Sequence, residues 1–232
     1  MRGTRLHLTT QRQATKKKPM IPQFYLITPP ISDALAFRAK LEPVLSTGAI
    51  DVLLARFAAT TDLELKGPAA SLKSVVQEAG VAMLIDLPAD ARFVARLGLD
   101  GVHVTKPGPE LDEAVEALKP DRIIGIGGLK ARHDAMEAGE KDIDYVMFGE
   151  PRPDGTVPPV AQTVERAEWW ATIFTMPCVA YAENLEAVTA LAATGCEFIA
   201  LGPWVFEASD PAETVAEARR LAKAKVLSQT TP

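Results

Sequence analysis

Short apolar runs recur along the chain, and polar stretches with capping and breaking residues separate them. Residues 24–28 (Phe-Tyr-Leu-Ile-Thr) form the first run, and Pro29-Pro30 closes it. Runs at 51–56, 81–87, 102–104, 122–127, 144–148, 178–181 and 197–201 follow. Val102 and Val104 in the fourth run are β-branched, as strands favour. Ser32 or Asp33 caps a helix through residue 45, and Thr60-Thr61-Asp62 caps one through 79. Residues 88–97, 110–118, 130–140, 160–174, 184–194 and 211–225 read as the remaining helices.

The strand runs are almost wholly apolar, as parallel strands covered on both faces must be. Strand and helix alternate through eight units, which predicts an α/β fold, a single (β/α)8 TIM barrel, over an open doubly wound sheet. No Gly-x-Gly-x-x-Gly opens a helix after the first strand, which argues against a dinucleotide-binding fold. The barrel is expected over 23–226. Residues 1–22 read as a basic, disordered extension and 227–232 as a disordered end.

Composition adds limits. With 232 residues, 47% hydrophobic and 24% charged, the chain is ample for one large core. No apolar run is long enough to span a bilayer, and the polar, basic start gives no secretory signal. Arg2, Arg5, Arg12, Lys16, Lys17 and Lys18 lie in the first 19 residues with no acid among them. Without those six positive charges the net −5 becomes −11, so the body is a poor partner for nucleic acid. Cys178 and Cys196 make no Cys-x-x-Cys pair and read as buried thiols of a cytoplasmic protein.

In α/β barrels, sites sit at the carboxyl ends of the strands. Residues 99–108 (Leu-Asp-Gly-Val-His-Val-Thr-Lys-Pro-Gly) therefore draw attention. His103 alternates with Val102 and Val104 and reads either as a hydrogen-bonded interior histidine or as a ligand contact. Lys106 can bind a phosphate as a flexible point charge or stay solvated. Asp86 is a site carboxylate or a helix cap, and Arg56 a salt-bridge partner or a clamp. Tyr181 and Trp204 line a pocket or plug the barrel mouth. Trp169-Trp170 read as outer packing or a subunit interface, so a homo-oligomer is among the expectations, and His133 as solvated.

Six segments in register resemble the thiamine phosphate synthase family: 24–28, 98–104, 123–126 (Ile-Ile-Gly-Ile), 144–149 (Asp-Tyr-Val-Met-Phe-Gly), 177–180 (Pro-Cys-Val-Ala) and 193–200 (Ala-Thr-Gly-Cys-Glu-Phe-Ile-Ala). The resemblance implies a TIM barrel that joins an aminopyrimidine diphosphate to a thiazole phosphate with Mg2+, a transferase of thiamine biosynthesis. It places ligand-binding positions at Arg56, Asp86, His103, Thr105, Lys106, Gly127, Tyr181, Glu183 and Gly202, and a metal ligand at Asp86. The family's cationic and metal-binding residues have few counterparts there. Leu53-Leu54-Ala55-Arg56 stands where a glutamine and an Arg-acid-Lys cluster grip the diphosphate, and the offset of one turns Arg56 to the opposite face. Thr105-Lys106 replaces Gly-Gln and a metal-holding acid, and Gly127-Gly128-Leu129 replaces Ser-x-His. Glu150-Pro151-Arg152 lacks the Thr-Lys element, Tyr181-Ala182-Glu183 the double glycine and Gly202-Pro203-Trp204 the Ser-Ala pair. The expected function is the family's with activity weak or lost. The alternatives are a non-catalytic, phosphate-ligand-binding or regulatory barrel, and a lyase or isomerase of another phosphorylated molecule acting through Lys106 or Glu183.

Overall fold

The structure is a computed structural model that describes residues 20–59, 61–88, 90–152 and 154–229. The expected basic extension therefore lies outside the described residues up to position 19, as do Thr60 in the second helix cap and residues 230–232 of the expected disordered end. Eight parallel strands close into one barrel in sequence order: β1 (Gln23–Ile27), β2 (Val52–Ala55), β3 (Ala82–Asp86), β4 (Gly101–Val104), β5 (Ile123–Ile126), β6 (Tyr145–Phe148), β7 (Cys178–Ala182) and β8 (Phe198–Leu201). β8 pairs back onto β1, so no edge is left open. A helix follows each strand: α1 (Ala34–Ser46), α2 (Asp62–Glu78), α3 (Arg92–Leu97), α4 (Pro109–Leu118), α5 (Arg132–Gly139), α6 (Val160–Ile173), α7 (Leu185–Leu191) and α8 (Pro211–Ser228).

Caps set the helix starts where the sequence marks them. Asp33 accepts from the amides of Leu35 and Ala36, and Thr61 and Glu64 form a reciprocal capping box. α3 starts at Arg92, not at Pro88, because the Asp90 carboxylate takes the Arg92 amide and Phe93 N–H bonds Asp90 C=O. A 3-10 helix (Pro203–Glu207), which the sequence pattern does not predict, joins β8 to α8.

Alternation along the strands makes two cores. One side packs against the helices around Phe24, Leu26, Leu53, Val102, Ile124, Trp170 and Ile199. The other fills the barrel with Tyr25, Ile27, Leu54, Leu84, Tyr145, Met147, Val179, Tyr181 and Ala200. In that interior β5 contributes Ile123 and, two residues on, no side chain at Gly125. A Cβ at Gly125 would lie 1.8 Å from the Tyr145 ring, so the missing side chain is the space the phenol occupies.

The amino ends of the strands carry a repeated clamp. Asp51, Asp100, Asp144 and Glu197 each stand just before an even-numbered strand. Their carboxylates accept the amides of Phe24, Met83, Ile124 and Cys178, at the starts of the odd-numbered strands, at 2.9, 2.7, 2.7 and 3.0 Å. Charged acceptors of this kind are worth about twice a neutral hydrogen bond.

Candidate functional site

The carboxyl ends of β2 to β6 surround a cavity of about 720 Å³. Arg56 and Asp86 form its floor with Glu150, while Lys106, Lys130 and Arg152 stand at its rim. Arg56 carries on the inward alternation of Val52 and Leu54, so it points into the barrel mouth; the expectation that it turns to the opposite face is corrected. It acts as a salt-bridge partner. Its guanidinium bonds the Glu150 carboxylate, and its Nε lies 3.5 Å from Asp86 Oδ2.

Glu150 anchors a buried polar row. Its Oε2 lies 3.2 Å from His103 Nε2, His103 Nδ1 lies 3.0 Å from the Tyr145 hydroxyl, and that hydroxyl lies 2.8 Å from the Tyr25 hydroxyl. An ionised Glu150 can only accept, so His103 Nε2–H donates to it. The His103–Tyr145 and Tyr145–Tyr25 bonds continue the row between groups that can each donate or accept. Burial pushes both phenols up, which keeps them protonated. His103 is fully buried, as an interior histidine is.

The two carboxylates that share Arg56 shift in opposite directions. Burial pushes Asp86 up, and the opposing pull of Arg56 does not cancel it. Burial pushes Glu150 up too, but His103 and Arg56 overcome it, so it sits below the usual glutamate range. A carboxyl with a depressed folded-state pKa contributes stability above its unfolded pKa and loses it as pH falls. Glu150→Gln is therefore expected to cost about 2 kcal/mol at pH 7. That gap narrows once pH drops below about 4.5. Urea unfolding of both proteins at pH 7 and pH 4 checks it; a gap that widens in acid would refute it.

Of the sequence candidates, Arg56, Asp86, Thr105 and Lys106 line the cavity. Gly127 lies beneath it, where a Cβ would meet Glu150 Oε2 at 2.0 Å and His103 Nε2 at 2.9 Å. Tyr181 is buried in the barrel with its hydroxyl over Gly202, and burial pushes that phenol up to about 12. Glu183 is exposed and does not line this cavity, and Trp204 donates to the carbonyl of Ala182. Trp170 is fully buried against Phe148 and Phe174, and Trp169 is partly buried beneath Arg132. His133 is exposed beside Glu137.

Sequence reasoning gives no site role to Glu150, Tyr25, Tyr145, Lys130, Arg152 or Arg166. Arg166 holds the loop after β5 through the carbonyls of Leu129 and Lys130. The sequence signal for Glu150 is weak: an acid two residues after an apolar strand, opposite the glycines that follow the neighbouring one.

The residues present do not fit a resident divalent cation. Among the described residues no three metal-ligating side chains converge. Asp86 has the Arg56 guanidinium beside one oxygen, and Glu150 is already held by Arg56 and His103. Glu150 is thus fully engaged by side chains of the protein itself, and the one unpartnered oxygen, Asp86 Oδ1, has no second free carboxylate beside it to complete a ligand set.

A closed parallel barrel whose strand ends enclose a cation-rimmed cavity defines an α/β-barrel protein with a candidate site at the usual mouth. Comparison with known proteins narrows this class. The chain belongs to the thiamine monophosphate synthase family, whose sequence model matches residues 24–203. It is 36% identical over 213 residues to the thiamine-phosphate synthase of Hyphomonas neptunium, covering 83% of this chain and 90% of that one. It is 34% identical over 203 residues to the thiamine-phosphate synthase of Rhodospirillum centenum, covering 86% and 97%. Thiamine phosphate pyrophosphorylase from Pyrococcus furiosus has the same fold, with a TM-score of 0.71 at 21% identity over 88% of this chain and 97% of that one.

Proposed function

We propose that this chain is a thiamine phosphate synthase-like barrel protein that binds a small phosphorylated molecule at the carboxyl ends of its strands, and that its joining reaction is slow or lost. Family membership supports the ligand class. The pairing of Arg56 with both Glu150 and Asp86 carries the second half of the reading. The family reaction expels a diphosphate, so it depends on cations placed to meet the developing charge. Here Arg56, the cation placed on the cavity floor, is already paired with carboxylates of the protein. Each lost contact of that type costs about 3 kcal/mol of transition-state stabilisation, roughly a hundredfold in rate.

Mg2+ comes with the family and not with the residues of this cavity, so no step of the proposed function passes through it. Cys178 and Cys196 are both buried and make no Cys-x-x-Cys pair, which fits a reducing compartment, and we read the chain as cytoplasmic. A non-catalytic, regulatory barrel that keeps only the binding half is the second reading, and the same ion pairs favour it.

Purified protein given the aminopyrimidine diphosphate, the thiazole phosphate and Mg2+ is expected to form thiamine phosphate at least about a hundredfold more slowly than the Rhodospirillum centenum relative. A rate within tenfold of that relative, or full rescue of a thiamine auxotroph, would sink the second half of the proposal. Failure of every phosphorylated ligand to bind would sink the first.

A further inference from the structure

Glu150 sits in a socket built for a carboxylate. Its side chain is 5% exposed, between the Arg56 guanidinium and His103 Nε2. Gly127 leaves the space its Oε2 fills. The Arg56 side chain remains 21% exposed and lines the cavity, so a ligand can reach it. An anion arriving there meets two carboxylates around one cation. Among the described residues the rim lysines, Lys106 and Lys130, make no ion pair with an acid, whereas Arg152 lies near the Asp154 carboxylate, to which Thr156 links it. The cavity is therefore divided into an acidic floor and a basic rim.

We propose that Glu150 is a specificity-determining residue: it holds the face of Arg56 that an anion would use, so the cavity rejects a diphosphate from its floor and keeps a single phosphate at its rim. The inference rests on the reading of this mouth as a phosphate-ligand site. The physical ground is like-charge repulsion. A diphosphate long enough to span rim and floor places its second phosphoryl group against Glu150 and Asp86, and like charges brought together in a partly dry site oppose binding strongly. Glu150 cannot simply swing away, because it would leave Arg56 and His103 without their acceptor.

The test is calorimetric titration of inorganic phosphate and inorganic pyrophosphate, without divalent cations, into wild-type protein, Glu150→Gln and the double variant Lys106→Ala/Lys130→Ala. Wild type is expected to bind pyrophosphate no more tightly than phosphate. Glu150→Gln keeps the side-chain shape and a hydrogen-bond acceptor, and is expected to bind pyrophosphate about tenfold more tightly than wild type, with phosphate changed less than about threefold. The double variant is expected to lose phosphate. Unchanged pyrophosphate affinity in folded Glu150→Gln, with phosphate still lost in the double variant, overturns the role of Glu150 and leaves the phosphate site standing. Should Glu150→Gln fail to fold, wild-type protein that prefers pyrophosphate by tenfold overturns the inference by itself. If neither anion binds wild type or Glu150→Gln, the site reading falls and this inference with it.

Discussion

Arg56→Met is expected to lower unfolding stability by about 4 kcal/mol, because removing one partner of a buried pair strands the charge of the other. Two carboxylates depend on this guanidinium. Glu150 is nearly fully buried, and Asp86 has a buried Oδ1 with no hydrogen-bond partner of its own. For a domain of this size the loss corresponds to a fall in Tm of roughly 10 °C. Differential scanning calorimetry at pH 7 reads it. Adding Glu150→Gln to Arg56→Met is expected to recover part of the loss, since it removes one stranded charge. A drop below about 1 kcal/mol would mean that water reaches Glu150 as it does the 39% exposed Asp86 and that the Arg56–Glu150 pair behaves as a surface one.

This pair also shows how far the sequence carries. The alternation of Val52, Leu54 and Arg56 is readable, and a strict period of two turns all three the same way. Setting Arg56 against the family's displaced arginine obscures that, because an offset between two chains says nothing about the face a residue takes in its own strand. Asp86, Thr105 and Lys106 are legible as strand-end polar residues, and the closed barrel brings them to one cavity. The buried row is not. Tyr25 and Tyr145 stand in apolar strands, where a phenol and a core phenylalanine look alike in sequence. Only the register of the barrel sets their hydroxyls 2.8 Å apart across 120 residues. Glu150 is hidden for a different reason. It opens a proline-rich loop, where an acid is ordinarily solvated, and the space it is buried in comes from the absence of a side chain at Gly127, just past the end of the neighbouring strand.

Gly125→Ala is expected to destabilise the barrel by about 3 kcal/mol, at the upper end for overpacking a core. The added methyl would lie 1.8 Å from Tyr145 Cζ and within 2.3 Å of both adjoining ring carbons. The ring has little room to retreat, since it meets Tyr25 edge-on and stacks with His103. Moving it also breaks the bonds from its hydroxyl to Tyr25 and His103. Urea unfolding measures the loss. Tyr145→Ala in the same chain is expected to make Gly125→Ala far less harmful, because the two share one volume. Strictly additive losses would show that the methyl is accommodated by backbone movement instead.

The clamps at the amino ends of the strands divide the barrel in another way. A carboxylate before β2, β4, β6 and β8 reaches back to the amide of the strand before it, so one design recurs four times around the ring. The base of the molecule is thus a fourfold pseudosymmetric object, assembled from four copies of a two-strand module. The opposite end shares none of that repetition: it presents an arginine, an aspartate, a glutamate and glycines where the modules would be equivalent. Recognition of an irregular ligand requires inequivalent positions, whereas closing a ring is easiest with equivalent ones. The clamps that close the ring therefore lie at the opposite end from the residues that make the mouth, so the exposed positions of the mouth can change without touching them, whereas Arg56 and Glu150 carry stability as well as the shape of the cavity.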